Sequence, residues 1–163
     1  MKSKRILALR ITFIVLCLVW QGVIFGFSAE NSDESGGRSR GICVSIAEFI
    51  TRNDADITEE ELAALAGKIE PPLRSLAHMF CFAVLGGLYF LLYASFGFFG
   101  AMRFCLSVGC TVAYAVFDEI HQYFVPGRSL QLVDIAVDTA GALLAVGMLS
   151  LIFYSAQKRR KNK

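Results

Sequence analysis

The stretch from Phe117 to Arg128, FDEIHQYFVPGR, places two carboxylates, an imidazole, an amide and a guanidinium between two apolar runs. Carboxylate and imidazole groups can transfer protons, and a guanidinium can hold a phosphate or a carboxylate. The stretch is therefore either a solvated loop or a polar site at the edge of a membrane. Its candidate site residues are Asp118, Glu119, His121, Gln122 and Arg128.

Two aspartates open the apolar run that follows this stretch. Asp134 and Asp138 are four residues apart, so they share one face of a helix, which Gly141 and Ala145 continue with small residues. A carboxylate at the depth of Asp138 in a membrane costs several kcal/mol unless it is paired, solvated or protonated. The two aspartates are also weak candidates for a divalent metal, although no established metal-ligand spacing is present and no other cofactor is indicated.

Further polar residues are expected at the same level. Arg74 and His78 are four residues apart at the start of another apolar run, and Ser28 and Glu30 follow the end of the first one. An ion-paired binding site is one interpretation of this set. The alternative is that these groups only solvate the ends of helices.

The elements that carry these residues are transmembrane helices. Of 163 residues, 55% are hydrophobic and only 18% are charged, and the mean hydropathy is +0.55. Four runs are long enough to cross about 30 Å of hydrocarbon as helices. We predict a single all-α domain over residues 1–163, a four-transmembrane-helix bundle with an extracytoplasmic helical insertion between spans one and two. The spans lie at about 7–27, 75–96, 102–124 and 133–154.

The length of the third span decides where the opening stretch lies. Its uncharged part, residues 104–117, would reach only about 21 Å as a helix, at about 1.5 Å per residue. The helix should therefore continue past Asp118 to about Phe124. Pro126 and Gly127 then predict a tight turn that sets spans three and four side by side, so that their carboxylate faces meet.

Basic residues predict the orientation. With four spans, ten of the 16 Lys and Arg residues lie on one side, which is then cytoplasmic and contains both termini. The other side has the remaining six and all 14 acidic residues. The basic tail is expected to contact anionic lipid, and no nucleic-acid partner is indicated. Cleavage of the first span as a signal peptide stays an alternative.

The segment over residues 28–73 is predicted to be amphipathic and extracytoplasmic. It opens with a Gly/Ser-rich linker, SAENSDESGGRSRG, before a helix whose apolar face carries Ile42, Ile46, Phe49 and Ile50. Thr58 and Glu61 then predict a capping box. The helix that follows has an apolar stripe and should end at Pro71-Pro72. Both helices should lie on the outer membrane surface or cap the bundle. The stripe is made of Leu62, Leu65, Ala66 and Ile69.

These features resemble the VanZ-like family of bacterial membrane proteins. The most specific match is DEIHQYFVPGRSLQLVDIAVDTAGALLA, from Asp118 to Ala145. A weaker one is RSLAHMFCFAVLG, with Arg74 and His78 in register, and another is Ser28-Ala29 after a span that contains Trp20 and Phe25. The chain departs from the family pattern at Glu30, Ser75 and Cys81-Phe82.

The resemblance implies a multi-pass protein of the bacterial cytoplasmic membrane associated with resistance to the lipoglycopeptide teicoplanin. It favours a binding or shielding role at the outer face, with the lipid bilayer and a lipid-linked cell-wall precursor or lipoglycopeptide as partners. The expected binding residues are Arg74, His78, Asp118, Glu119, His121, Gln122, Arg128, Asp134 and Asp138.

Three other functions stay open. A membrane-embedded enzyme acting on a lipid-linked precursor or envelope lipid would use Asp118, His121 and Asp138, with His121 as general base and Asp118 orienting it. An ion-linked carrier or sensor would titrate Asp138 and His121. A structural partner of a cell-wall complex would use the polar cluster only to lock the spans.

Overall fold

Five α-helices make up most of the chain that the computed structural model describes, which is residues 2–29, 32–52 and 57–161. Four of them are long and apolar enough to cross a membrane, which confirms the predicted all-α membrane class. These four alternate in direction, and we call the bundle end near Ser28 and Asp118 the polar end and the opposite one the basic end. The helices are α1 (Lys2–Ser28), α2 (Ser32–Thr51), α3 (Glu59–Ser95), α4 (Gly100–Tyr123) and α5 (Leu132–Lys161).

The central element is α3, which packs against each of the other four helices. Its closest neighbour is α5, because small residues allow the two backbones to approach. A Cβ atom built on Gly141 would lie 2.9 Å from Cγ of Met79 and 3.0 Å from its carbonyl carbon. Ordinary carbon contacts are about 3.5–4.0 Å, so only glycine fits at this position. Gly141, from the small-residue face predicted for the fourth span, therefore lies in the α3–α5 seam, together with Ala142 and Val146, which contact Gly86.

The start of α3 confirms the predicted capping box. The Thr58 hydroxyl accepts from the backbone N–H of Glu61 at 3.2 Å, and the Glu61 carboxylate accepts from the backbone N–H of Thr58 at 3.0 Å. The two interactions satisfy backbone donors that the first turn of a helix leaves without intrahelical partners.

The prediction that Pro71 and Pro72 end this helix is wrong, because α3 runs without a break from Glu59 to Ser95. Each proline removes one backbone hydrogen bond. Packing compensates on both sides: before the prolines α3 packs on α2, and after them it packs on α1, α4 and α5. Tertiary contacts therefore override the local preference for a stop.

The region before α3 also differs from the prediction. The Gly/Ser-rich linker was expected to reach Gly41, but α2 already begins at Ser32. Its buried residues are Cys43 and Ala47, which pack with Ala66 of α3, whereas Ile42, Phe49 and Ile50 are exposed. Small side chains face α3 because they permit close approach, and the large apolar ones face outward. We call α2 and residues 59–70 the α2–α3 hairpin.

The apolar stripe predicted for residues 62–69 packs in this hairpin, where Ala66 is buried and Leu62, Leu65 and Ile69 surround it. A second apolar cluster holds the bundle together at the level of Ile24, Phe82, Leu85 and Ala115. The extracytoplasmic location of the hairpin stays a prediction.

Candidate functional site

The buried face of α4 is polar along most of its length. Large apolar residues such as Phe117 and Ile120 are exposed, as expected for a helix surrounded by lipid, and polar residues point into the bundle. In a membrane, polar side chains avoid lipid and hydrogen-bond inside the protein. The buried residues are Arg103, Ser107, Thr111, Ala115, Asp118, Glu119 and Gln122.

The end of α4 confirms the length argument. The helix ends at Tyr123, and Phe124 is its C-cap. A tight turn follows in which the N–H of Arg128 donates to the carbonyl of Val125 at 3.1 Å. Gly127 has φ = 79°, a conformation that glycine adopts without a steric penalty. The turn brings the ends of α4 and α5 together.

Asp118 is the centre of a hydrogen-bonded network at the polar end. Its Oδ2 accepts from the Ser28 hydroxyl at 2.7 Å and from Nε2 of Gln122 at 3.0 Å. Nε2 of His78 lies 3.9 Å from the same oxygen. Only 1% of the Asp118 surface is exposed, so these contacts from α1, α3 and α4 stabilise a carboxylate that is shielded from water.

The same contacts bear on nucleophilic catalysis. A catalytic serine donates its hydroxyl proton to a histidine, whose other ring nitrogen faces a carboxylate. Here Ser28 donates to Asp118, and both residues face the same ring nitrogen of His78, with Ser28 Oγ at 3.5 Å. Ser28 is also fully buried. The arrangement is therefore a structural network and not a catalytic triad.

His121 lies away from this network. Its ring packs against that of Phe25 with a centroid distance of 4.1 Å and a tilt of 35°, and its Nδ1 has no hydrogen-bond partner among the described residues. The imidazole close to Asp118 is that of His78. The general-base role considered for His121 thus has no support from its position, because Phe25 and not a second polar group is its neighbour.

Glu119 and Gln122 fix the loop after α4. Glu119 is buried and accepts a hydrogen bond from the backbone N–H of Gln131. The Gln122 side chain accepts from Nη1 of Arg128 at 3.2 Å. The polar residues predicted on α4 therefore make two kinds of contact. Asp118 faces α1 and α3, whereas Glu119 and Gln122 form hydrogen bonds with the connection to α5.

A cavity of about 110 Å³ opens beside this network. Six of the residues that line it, including Gln122, were predicted for a binding site from the sequence. Ser75, Ser129 and Gln131 also line it and were not predicted. The lining consists of Arg74, Ser75, His78, Gln122, Gly127, Arg128, Ser129, Gln131, Asp134, Val137 and Asp138.

Asp138 is the most enclosed of the charged residues that line the cavity, with 3% of its surface exposed. Its Oδ1 is buried and accepts no hydrogen bond from any residue in the described ranges. Asp134, one helical turn nearer the start of α5, is half-buried. Sequence and structure agree that the two share a face, and that face lines the cavity.

Arg74 lies at the rim, where its Nη2 forms an ion pair with Glu70 at 3.1 Å. In residues 2–29, 32–52 and 57–161 no group of three or more His, Cys, Asp or Glu is placed to hold a metal ion. Glu30 lies outside the described residues. Six of the predicted binding residues line the cavity. Asp118 and Glu119 lie outside the lining but form hydrogen bonds with Gln122 and Gln131, which belong to it. His121 is not in the lining.

Arg103 is a second buried charge, at the basic end. Arg103 is one of the ten basic residues that predict the cytoplasmic side, and it is 6% exposed and lies inside the bundle. Its guanidinium stands 4.0 Å from the ring centre of Phe90 and 4.7 Å from that of Phe153. Cation–π contacts of this kind stabilise a desolvated guanidinium by about 2 kcal/mol. Arg103 therefore joins α3, α4 and α5 at the end opposite the cavity.

Comparison with known proteins gave one match. A family model described as VanZ/LLP1 matches residues 13–154, which include every residue of the cavity. No curated protein and no solved structure matched the chain.

Proposed function

The chain belongs to the VanZ/LLP1 family, and on that premise we propose that it is a multi-pass protein of the bacterial cytoplasmic membrane that modulates susceptibility to lipoglycopeptides such as teicoplanin. In this proposal the cavity faces the outer side of the membrane. It binds the polar part of a lipid-linked cell-wall precursor and changes how that part is presented to the antibiotic.

The observation that carries the proposal is the cavity itself. Its walls come from α3, α4, α5 and the connection between the last two, and it combines the guanidinium groups of Arg74 and Arg128 with the carboxylates of Asp134 and Asp138. Buried polar groups cost free energy unless they have partners, so a partly enclosed polar cavity in a membrane bundle favours binding of a polar ligand.

The distribution of charge supports the orientation. Arg5, Arg10 and Lys158 are at the basic end, where both ends of the described chain also lie. Basic residues are enriched on the cytoplasmic side of membrane proteins, and this rule favours an outer position for the cavity. A lipid-linked precursor exposes its polar part in the outer leaflet, the leaflet from which this cavity would be reached.

A binding role fits the site better than catalysis. His121 lies against Phe25, and Ser28 is engaged with Asp118, so neither residue is poised to attack a substrate. The enzyme and the ion-linked carrier stay predictions. The first is tested by lipid and muropeptide profiles on overexpression, and the second by proton or ion flux in proteoliposomes.

The test is antibiotic susceptibility in isogenic strains. We compare deletion, complemented, Asp138→Asn and Glu48→Gln strains for teicoplanin and vancomycin, with the amount of protein in the membrane checked by immunoblot. Glu48 is exposed on α2, so Glu48→Gln removes one negative charge away from the cavity. We expect deletion and Asp138→Asn to change teicoplanin susceptibility alike and Glu48→Gln to behave as the complemented strain. Unchanged susceptibility in both the deletion and the Asp138→Asn strains would refute the proposal.

A further inference from the structure

We infer that the inner part of the cavity binds a primary ammonium group, with Asp138 as its principal acceptor and Asp134 as the second. This inference deepens the proposed function, on which it rests for the identity of the ligand as an envelope molecule, by naming the chemical class of the group that is recognised. The ligand is then an amine-bearing head group and not a neutral sugar.

The first observation is the state of the Asp138 carboxylate. It lines the cavity and is 97% buried, since 3% of its surface is exposed, and its Oδ1 has no donor within the described parts of the chain. A buried carboxylate oxygen without a donor is costly, and a charged donor compensates for it better than a neutral one. Because Asp138 lines the cavity, a donor held there can reach its carboxylate group.

The second observation is the balance of charge. Asp118, Glu119 and Asp134 lie within electrostatic range of Asp138. The guanidinium of Arg74 is already paired with Glu70, and that of Arg128 donates to Gln122. Asp134 and Asp138 thus line the cavity, Asp118 and Glu119 lie behind its wall, and each of the two guanidinium groups in the lining already has a hydrogen-bond partner. Opposite charges attract, so this interior favours a cation.

The third observation is the size of the space and the set of ligands. A volume of about 110 Å³ has room for an ammonium group and the atoms bonded next to it. Mg²⁺ and Ca²⁺ need six or more oxygen ligands, and in the described ranges no cluster of three metal-binding side chains is present. A primary ammonium carries three N–H donors, so it can donate to Asp138 and Asp134 at once.

The experiment measures binding to the purified full-length chain by isothermal titration calorimetry. The soluble probes are ethanolamine, choline and ethylene glycol. The lipid probes are nanodiscs that contain phosphatidylethanolamine, phosphatidylcholine or phosphatidylglycerol, in which thermal unfolding is recorded. We expect ethanolamine to bind at least about tenfold more tightly than choline, because the trimethylated nitrogen of choline has no N–H donor. We also expect phosphatidylethanolamine to raise the unfolding temperature more than the other two lipids.

The two arms identify the source of the amine. Binding of ethanolamine together with stabilisation by phosphatidylethanolamine indicates that the ammonium is sufficient. Stabilisation by phosphatidylethanolamine alone indicates that recognition needs a membrane-borne head group. Both results support the inference. Equal responses to all three soluble probes and to all three lipids would overturn it, and so would equal stabilisation by NaCl or MgCl₂ and by ethanolamine.

Variants localise the effect. Asp138→Asn should weaken the preferred amine by at least about tenfold, as expected for loss of a charged acceptor, and Asp134→Asn should weaken it less. Glu48→Gln is the control and should bind as the wild type does. If Asp138→Asn does not fold, the preference of the wild type for ethanolamine over choline and the Asp134→Asn variant still decide the question.

Failure of the inference is distinguishable from failure of the proposed function. Loss of amine binding in Asp138→Asn with unchanged teicoplanin susceptibility would refute the proposed function and leave the ammonium site standing. Changed susceptibility in Asp138→Asn, with no preference for primary amines in the purified protein, would refute the ammonium site and leave the proposed function standing.

Discussion

Replacing Gly141 with alanine should separate α3 from α5 and destabilise the bundle. The added Cβ would be 2.9 Å from Cγ of Met79 and 3.0 Å from its carbonyl carbon, and closer still to its carbonyl oxygen. Carbon atoms in contact prefer about 3.5–4.0 Å, so the helices must move apart by half an ångström or more. The obstacle includes the α3 backbone, which cannot rotate away as the end of a side chain can.

The expected cost is about 1–3 kcal/mol, the range for an inserted methyl group in a well-packed interior. This corresponds to a change of about 5- to 150-fold in the equilibrium between folded and unfolded states. For a chain of 163 residues, each kcal/mol lowers the unfolding temperature by about 2–4 °C. The shift is measured by thermal unfolding of the purified protein in one detergent.

Two further glycines provide an internal ranking. A Cβ on Gly86 would meet Cα of Ala142 and Cγ2 of Val146 at 3.3 Å, whereas one on Gly147 would have no atom within 4 Å. We therefore expect Gly141→Ala to destabilise most, Gly86→Ala less, and Gly147→Ala to be neutral or stabilising, because alanine is the better helix former by about 1 kcal/mol. Equal unfolding temperatures for Gly141→Ala and Gly147→Ala would refute the reasoning from the α3–α5 seam.

Three other substitutions test the framework of the site. Thr58→Ala removes the capping box and should cost about 1 kcal/mol, seen as faster amide exchange in the first turn of α3, with Ser45→Ala as an exposed control. Gly127→Ala forces alanine to φ = 79° and should lower stability by about 1–2 kcal/mol; an unchanged unfolding temperature would contradict this. Arg103→Ala should lower the unfolding temperature more than Arg5→Ala, because Arg103 packs between two aromatic rings whereas Arg5 is exposed.

Span length alone was sufficient to predict where Asp118 lies. A helix that crosses a membrane needs a fixed number of residues, so α4 had to continue past Asp118, and it ends at Tyr123. The side-by-side packing of α4 and α5 followed from the short turn with Gly127, and the shared face of Asp134 and Asp138 followed from their spacing. These inferences depend on local rules, and the structure agrees with them on the fold.

The partners of each polar group could not be predicted in the same way. His121 is three residues from Asp118 on one helix, but it lies against Phe25, while the histidine near Asp118 comes from α3. The rotation of each helix about its axis and the angles at which helices cross depend on the packing of all the helices together. The spacing of residues along one helix does not determine them. Arg103 shows the same limit, because a residue near a helix end is usually solvated and only two neighbouring rings make burial favourable.

The two prolines within α3 have a mechanical consequence for the cavity. At about 1.5 Å per residue the 37 residues of α3 extend about 55 Å, well beyond about 30 Å of hydrocarbon. Pro71 and Pro72 each remove a backbone hydrogen bond from the part of α3 that joins the α2–α3 hairpin to Arg74. At Gly141, by contrast, α3 and α5 are in close contact. The segment of α3 around the two prolines should therefore bend more easily than the rest of the helix, and it lies next to Arg74 in the cavity lining. A force or a partner that displaces the hairpin should bend α3 at the prolines. It should then disturb the ion pair between Arg74 and Glu70 before it disturbs Asp138.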